Sequence, residues 1–317
     1  MLAKRVFITG IEGFVGKYLL EELQNNGYEV GGFYLHSASV KHLDRYDIKL
    51  YAGDIVNKEV LWYALGDFAP DFIVHLAGIT FVPHANSDPI NAWRVNVIGT
   101  LNVLEWLRNE KTDVKTIIVS SGEVYGAPKS SDDLPFTENS CLNPQNIYAS
   151  TKASLDFAAR QYISLWKLPI IVVRPFNHIG PGQSENFVAS AFASQIAEIA
   201  SGKRKPIVRT GNLSASRDFL DVRDVVRAYR LLLEKVESGV FNICSGKALE
   251  IRKILDKLIR LSGVDVSVEI DPQKLRPVDV PVIYGSYEKI NKHTGWQPEI
   301  PLEDSLCDIF QSFVENN

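Results

Sequence analysis

The sequence predicts an α/β protein with a doubly wound parallel sheet and a smaller α/β lid. In the first half, short apolar runs alternate with helix-like stretches, and a glycine-rich turn directly follows the first run. Strand–helix alternation at this spacing is typical of βαβ units. Right-handed crossovers then place helices on both faces of the sheet and ligands at the carboxyl ends of the strands.

The first-half strands are apolar along their whole length, as strands buried on both faces are. They are predicted at Arg5–Thr9, Glu29–Tyr34, Ile48–Ala52, Phe72–Ala77, Thr116–Ser120 and Pro169–Val173. The helices between them are predicted at Phe14–Asn25, Lys58–Leu65, Pro89–Asn109 and Ser150–Leu165.

After Arg174 the pattern changes to a loop rich in Pro, Gly and Asn. Most of the later elements form the predicted lid, and some of them return to the sheet. These elements are a helix at Val188–Ala200, a polar stretch at Ser201–Asp218, a helix at Val222–Glu234, a strand at Val240–Cys244, and helices at Ile251–Leu261 and Leu302–Phe313.

Composition excludes several classes of protein. The 317 residues carry a formal net charge of −4, which provides no attraction to nucleic acid or to an anionic membrane. No apolar run approaches the roughly 18–20 residues of a membrane-spanning helix. Three cysteines argue against a disulfide framework and favour a reducing compartment, so a cytoplasmic location is expected. No spacing of His, Cys and Asp suggests a metal site.

The turn after the first strand carries glycines at Gly10, Gly13 and Gly16, with Phe14 and Val15 opening the next helix. Glycines let the backbone turn tightly and approach a pyrophosphate, while the amides of the helix N-terminus point at the phosphates. Because the motif lies between a strand and a helix, it predicts a Rossmann-type dinucleotide site made by these five residues.

The cofactor expected from this turn is a nicotinamide dinucleotide, and the end of the second strand bears on which one. An acid there would bind the ribose hydroxyls and repel a 2′-phosphate, but residues 33–37 contain none. This favours NADP(H), with His36, Ser37 or Lys41 as phosphate contacts, and leaves NAD(H) possible. Asp54 either accepts a hydrogen bond from the adenine amino group or caps the next helix.

Tyr148 and Lys152 lie four residues apart, which places them on one face of a helix. A free tyrosine has a pKa of about 10, and a neighbouring cation lowers that pKa by stabilising the phenolate. The pair therefore indicates a general acid. Ser121, just past the fifth strand, either donates to a substrate oxygen or serves as a turn residue.

With these motifs the chain resembles the extended short-chain dehydrogenases/reductases that act on nucleotide-diphosphate sugars. The resemblance also includes HLAG at 75–78, VNVIGTLNVLE at 95–105, RPFN at 174–177 and RDFLDVRD at 217–224. Within that family, the segments FNHIGPGQSENFV, LRPVDVP and TGWQPEIPLEDSL are similar to GDP-6-deoxy-D-mannose reductases. Those enzymes reduce the 4-keto group of GDP-4-keto-6-deoxymannose to give GDP-rhamnose.

The resemblance implies that Tyr148 protonates the substrate carbonyl oxygen, that Lys152 binds the nicotinamide ribose, and that Ser121 bonds the same carbonyl. It adds cofactor contacts at Ile55, Leu76, Ala77 and Gly78. The substrate contacts that it implies are Ser121, Glu123, Tyr148, Asn177, Val188, Arg217 and Arg276, with the two arginines on the diphosphate or its ribose.

The change of pattern along the chain predicts a division into domains, and the resemblance implies a homodimer formed by the helices at 89–109 and 150–165. Residues 1–177, with 219–245 returning, would bind the dinucleotide, and 178–218 with 246–317 would bind the nucleotide sugar. The alternative activities are a GDP-sugar 4,6-dehydratase, in which Glu123 is the acid/base, and a 4-epimerase. A non-catalytic dinucleotide sensor is less favoured, because the Tyr/Lys pair is present.

Overall fold

Seven parallel strands form the central sheet of the computed structural model, which describes residues 3–110, 113–275 and 280–315. Numbered along the whole chain, they are β1 Arg5–Thr9, β2 Glu29–Tyr34, β3 Lys49–Ala52, β4 Phe72–His75, β5 Lys115–Val119, β6 Ile170–Pro175 and β11 Gly239–Ile243. Their order across the sheet is β11-β6-β5-β4-β1-β2-β3. The predicted doubly wound sheet is confirmed. From β1 the chain adds strands first on one side and then, from β4 onward, on the other, and such sheets bind ligands at this switch between β1 and β4.

Helices cover both faces of this sheet. They are α1 Phe14–Asn25, α2 Lys58–Phe68, α3 Val82–Ser87, α4 Pro89–Trp93, α5 Gly99–Asn109, α6 Ile147–Trp166 and α8 Val222–Lys235. Leu20 of α1 and Leu232 of α8 share the core on one face. Leu65 of α2, Leu104 of α5 and Leu155 of α6 share the core on the other face.

The helix predicted over Pro89–Asn109 is not uniform, because a π-helical turn at Arg94–Ile98 separates α4 from α5. The wider turn directs Asn96 inward, where it is 1% exposed. Its side chain accepts from the Ile79 amide at 2.7 Å and donates to Thr151 Oγ1 at 2.9 Å. The interruption thus joins the loop after β4 to α6, a use typical of π-turns beside functional sites.

The sequence placed the start of α6 three residues too late. The helix begins at Ile147, because Asn146 caps it by accepting a hydrogen bond from the Ala149 amide at 2.8 Å. Tyr148 therefore lies inside the first turn of α6. The other predicted boundaries in the first half lie within a few residues of the observed ones.

The remaining elements lie beyond β6. The strands are β7 Asn177–Ile179, β8 Ile207–Thr210, β9 Ser216–Arg217, β10 Phe219–Asp221, β12 Leu249–Glu250, β13 Ser267–Ile270 and β14 Val282–Ile283, and the helices are α7 Val188–Ala200, α9 Ile251–Ser262, α10 Glu288–Thr294 and α11 Leu302–Glu315. In the described ranges, no helix has the length and apolar character needed to cross a membrane.

Short strand pairs organise this second part. β10 pairs with β7, β13 pairs with β8, and β9 lies between β12 and β14. The stretch Ser201–Asp218, predicted only as polar, therefore contains β8 and β9. These strands are too short to give a period-2 signal on their own. They form because β8 pairs with β13 and β9 pairs with β12 and β14, which come later in the chain.

Helices α7, α9 and α11 surround a core of their own, which includes Phe192, Ile196, Leu255 and Ile309. β11, by contrast, pairs with β6 in the central sheet. From this separation we propose the division into a sheet domain and a lid that the sequence suggests.

A buried ion pair fixes α6 against the end of β6. Arg174 Nε and Nη2 donate to the two carboxylate oxygens of Asp156 at 2.7 and 3.0 Å, and both side chains are almost fully buried. Arg174 Nη1 also donates to the Tyr125 hydroxyl oxygen at 2.9 Å. Such two-pronged contacts hold orientation as well as charge, so the arginine of RPFN has a structural role.

Candidate active site

The turn between β1 and α1 depends on two glycines. Gly10 has φ +74° and donates its amide to the Phe33 carbonyl at 2.8 Å, and a Cβ there would lie 2.8 Å from the Ala77 amide nitrogen. A Cβ on Gly16 would lie 2.4 Å from the Ile11 carbonyl oxygen. Both approaches are backbone to backbone, so neither position has room for a side chain.

The N-terminus of α1 is open towards the same turn. Gly13 is the capping residue, and no described side chain caps the first amides of α1. Free amides at the positive end of a helix dipole bind anions. The residues present therefore fit the pyrophosphate of a dinucleotide.

A cleft of about 1670 Å³ runs along the carboxyl ends of the strands. It exceeds the roughly 300–1,000 Å³ of a site for one drug-sized ligand, so it has room for a dinucleotide and a second molecule. The predicted residues that line it are Gly10, Gly13, Phe14, Val15, Gly16, Asp54, Ile55, Leu76, Ala77, Gly78, Ser121, Glu123, Tyr148, Lys152, Asn177, Val188 and Arg217.

The predicted 2′-phosphate contacts His36, Ser37 and Lys41 do not line the cleft. His36 is exposed beyond the end of β2. Arg276 lies outside the residues that the structure describes. Within the described ranges, no three His, Cys, Asp or Glu side chains are grouped as a metal ion would require.

Tyr148 and Ser121 meet at the end of β5. Ser121 lies two residues past β5, and its hydroxyl accepts from the Glu123 amide at 3.2 Å. The Ser121 side chain also lies close enough to Tyr148 to lower the pKa of the phenol. Ser121 is therefore both a turn serine and a neighbour of the tyrosine, so both interpretations of this residue apply. Two hydroxyls at one point of the cleft can donate to one ligand oxygen.

Burial, rather than the neighbouring cation, dominates the acidity of Tyr148. Desolvation raises its pKa to about 12, the nearby Ser121 side chain opposes that rise, and the negative charge of Glu123 adds to it. The Lys152 ammonium lies 6.0 Å from the ring centroid, and the expectation that it lowers the pKa of Tyr148 stays a prediction. The phenol is protonated at neutral pH, which is the state that a proton donor needs.

Lys152 lies one turn of α6 beyond Tyr148 and is 4% exposed. Its ammonium donates to the Val119 carbonyl at 2.8 Å, at the last residue of β5. Burial lowers its pKa to about 8. The amine therefore still carries its proton at pH 7, within a cleft that it lines.

The last three residues of the HLAG segment line the cleft beyond β4. His75 is fully enclosed, with Nδ1 2.7 Å from Thr9 Oγ1 and Nε2 3.0 Å from Thr100 Oγ1. Desolvation lowers its pKa to about 3, with a further lowering from Lys152, so the imidazole is neutral and structural. A Cβ on Gly78 would lie 2.9 Å from Asn96 Oδ1. Asn96 was not predicted as a site residue, although VNVIGTLN contains it.

The lid contributes the far side of the cleft. Asn177 begins β7, Val188 begins α7 and Arg217 ends β9. Arg217 is 7% exposed, and its Nη1 donates to the Ser216 and Val280 carbonyls at 2.9 and 2.6 Å. These bonds hold the guanidinium in the wall of the cleft. Its contact with a diphosphate stays a prediction.

Asp54 does not cap the next helix. Its Oδ1 accepts from the Val56 amide at 3.0 Å, whereas the cap of α2 is Asn57, which accepts from the Val60 amide at 3.2 Å. Asp54 instead lines the cleft beyond β3. Its contact with the adenine amino group stays a prediction.

A dinucleotide turn, a tyrosine–lysine pair on one helix and a lid over the carboxyl ends of the strands define the class of nicotinamide-dependent oxidoreductases that act on nucleotide sugars. The chain belongs to the GDP-mannose 4,6-dehydratase family, whose model matches residues 7–309. This confirms the family resemblance drawn from the sequence motifs.

The relatives include both reductases and dehydratases. A GDP-6-deoxy-D-mannose reductase of Pseudomonas aeruginosa is 36% identical over 98% of each chain. A GDP-mannose 4,6-dehydratase of Vibrio cholerae is 28% identical over 99% of this chain and 95% of its own. Among solved structures, RMD from Pseudomonas aeruginosa complexed with NADPH matches with a TM-score of 0.85 and 33% identity, over 99% of this chain and 100% of that one.

The packing of Gly16 against Ile11 generates a prediction. We expect Gly16→Ala to destabilise the protein by about 1–3 kcal/mol, because the new methyl group meets a backbone carbonyl that cannot move away cheaply. It should also weaken dinucleotide binding by displacing the start of α1. Urea unfolding and a fluorescence titration with NADH and NADPH measure the two effects.

Gly66→Ala is the matched control, since position 66 is in α2 and a Cβ there has no heavy atom within 4 Å. It should stabilise the protein by roughly 0.5–1 kcal/mol, because alanine favours a helix over glycine. Equal stability of the two variants would contradict the packing argument.

Proposed function

We propose that the protein reduces the 4-keto group of GDP-4-keto-6-deoxy-D-mannose to give GDP-D-rhamnose, with Tyr148 as the proton donor. One observation carries this proposal: the hydroxyls of Tyr148 and Ser121 meet at the end of β5, beside a buried ammonium and next to a dinucleotide-binding turn. A ketone oxygen placed between the two hydroxyls can accept a hydrogen bond from each.

The reduction divides into a hydride and a proton. The nicotinamide cofactor, when bound, supplies the hydride to the carbonyl carbon. Tyr148 gives its proton to the carbonyl oxygen, which becomes the 4-hydroxyl group. Ser121 donates to the same oxygen as negative charge develops on it. The Lys152 ammonium stabilises the phenolate that is left, since an opposite charge favours the ionised form.

Three features support GDP-4-keto-6-deoxymannose as substrate. The Pseudomonas aeruginosa relative is named for reduction of a GDP-6-deoxymannose and aligns along almost the whole chain. Asn177 and Arg217 line the cleft from β7 and β9, which follow β6 in the chain. A buried guanidinium such as that of Arg217 suits a diphosphate.

The second candidate is GDP-mannose 4,6-dehydratase activity, and Glu123 is the observation in its favour. Its side chain lines the cleft and lies close enough to Tyr148 to raise the phenol's pKa. A carboxylate there can remove a proton during elimination of water. A 4-epimerase would use the same tyrosine without net reduction, whereas a dinucleotide sensor would need neither hydroxyl.

We also propose a homodimer and a cytoplasmic location. A second copy would cover the exposed apolar side chains on α4, the π-helical turn and α6. These side chains are Ile90, Trp93, Ile98, Phe157, Leu165 and Trp166. The charge and cysteine content support the location.

The test mixes purified protein with GDP-4-keto-6-deoxymannose and NADH or NADPH and follows the nicotinamide absorbance. We expect consumption of one reduced cofactor per ketone. Tyr148→Phe should lower kcat by about 100-fold to 10,000-fold, the range of general acid catalysis, and leave cofactor affinity unchanged. Tyr63→Phe is the control, since Tyr63 is 70% exposed and lies outside the cleft lining.

Loss of water from GDP-mannose, without net consumption of cofactor, would replace the reductase by the dehydratase. Full activity of Tyr148→Phe would remove the tyrosine from the mechanism. An unchanged response of a partner protein to Tyr148→Phe, together with no turnover on any of these sugars, would favour the sensor.

The lowered pKa of Lys152 predicts opposite effects of pH on activity and on stability. As pH rises through about 8, the ammonium loses its proton, so kcat/KM for the ketone should fall. Between that pH and the pKa of about 10.4 of an unfolded lysine, the unfolded chain binds more protons. The Lys152 contribution to the free energy of unfolding therefore rises with pH.

Lys152→Met isolates this contribution, because it removes the titrating group and keeps a chain of similar size. Urea unfolding at pH 7 and pH 9.5 should show that wild type gains stability relative to Lys152→Met as pH rises. A constant difference between the two proteins, with a flat activity profile up to pH 10, would contradict the assignment.

A further inference from the structure

Glu12 occupies an unexpected place at the cofactor end of the cleft. It lies inside the glycine turn, between Gly10 and Gly13, and lines the cleft. Its Oε1 accepts a hydrogen bond from the Leu35 amide at 3.0 Å. Leu35 is the first residue after β2, so the carboxylate is held at the carboxyl end of β2 although it belongs to the turn after β1.

This place is the one from which a dinucleotide-binding fold contacts the adenosine ribose, normally through an acid at the end of the second strand. Residues 33–37, at the end of β2, contain no acid, and that absence is what favoured NADP(H). β1 and β2 are neighbours in the sheet, and Gly10 donates to the Phe33 carbonyl at 2.8 Å. A side chain from the turn can therefore supply the missing carboxylate.

The second oxygen of Glu12 lacks a protein partner. Oε2 is buried and has no hydrogen-bond partner among the residues that the structure describes. A buried acceptor left unsatisfied is costly, and most buried polar atoms are paired. A hydroxyl group of a bound ribose would satisfy it.

The carboxylates that line the cleft oppose a phosphate. Besides Glu12, Asp54 lines the cleft two residues beyond the adjacent strand β3, where Arg94 Nη2 lies 3.5 Å from its Oδ2. The cationic side chains that line the cleft within the described ranges are Lys152, Arg209, Arg217 and Lys274. They belong to α6 and to the lid, away from β2, and His36 is outside the lining.

We propose that Glu12 selects NAD(H) over NADP(H), by binding the adenosine ribose hydroxyls and repelling a 2′-phosphate. This inference deepens the proposed function by naming the cofactor and the residue that chooses it. It also reverses the preference drawn from the end of β2 in the sequence.

The experiment measures dissociation constants by tryptophan fluorescence for NADH and NADPH, without any sugar present. Wild type should bind NADH at least about tenfold more tightly than NADPH, because like charges held together oppose binding. Glu12→Ser should raise NADPH affinity by about tenfold or more and lower NADH affinity by several-fold. Higher salt should reduce the wild-type preference for NADH over NADPH, since ions screen the repulsion between Glu12 and the 2′-phosphate.

Glu12→Gln separates charge from shape. Its amide oxygen can still accept from Leu35, so NADPH should gain affinity while NADH loses little. Glu59→Ser is the matched control, because Glu59 is exposed on α2 and lies outside the cleft lining. Its ratio of NADH to NADPH affinity should equal that of wild type. Thermal unfolding confirms that each variant is folded.

Tighter binding of NADPH by wild type, or an unchanged ratio in Glu12→Ser and Glu12→Gln, would overturn this inference. Since no sugar is present, the result is independent of the proposed reaction. If the ratio of NADH to NADPH affinity changes in the Glu12 variants but the protein does not reduce the ketone, the proposed function is wrong and the cofactor selection still holds.

Discussion

The burial of a phenol and an ammonium against the end of β5 is the constraint on which the rest of the site depends. Lys152 donates to the last carbonyl of β5, and Ser120 Oγ donates to the Lys152 carbonyl at 3.2 Å. The first turns of α6 are therefore fixed on the edge of the sheet. Burial keeps the phenol protonated and brings the lysine pKa close to neutrality. In the proposed reaction the phenol donates its proton, and the ammonium stabilises the phenolate that remains.

The buried Asp218 connects the lid to the same edge of the sheet. Asp218 accepts hydrogen bonds from the Ser245 amide at 2.7 Å and from the Gly246 amide at 3.0 Å. It thereby joins the segment between β9 and β10 to the end of β11. Desolvation raises its pKa to about 6 despite these bonds. These bonds thus hold the segment that carries Arg217 in a fixed position relative to the sheet.

Much of this arrangement could be predicted from the sequence, because it depends on local patterns. Apolar runs and glycine spacing predicted the sheet and the turn, and the spacing of Tyr148 and Lys152 predicted one helix face. The sequence could not show the π-turn that directs Asn96 inward, since apolar periodicity is continuous across it. It also missed Glu12 as the carboxylate beside β2, because that contact joins residues 23 positions apart.

Direct reduction of the ketone beside Tyr148 can be tested by following the hydrogen that the cofactor transfers. The reduced cofactor carries deuterium on the transferred side of nicotinamide carbon 4, and NMR locates the label in the sugar product. Direct reduction places deuterium at carbon 4 of the 6-deoxyhexose and solvent hydrogen on the new hydroxyl. Unlabelled product, or a label at carbon 6, would contradict direct reduction of the ketone beside Tyr148.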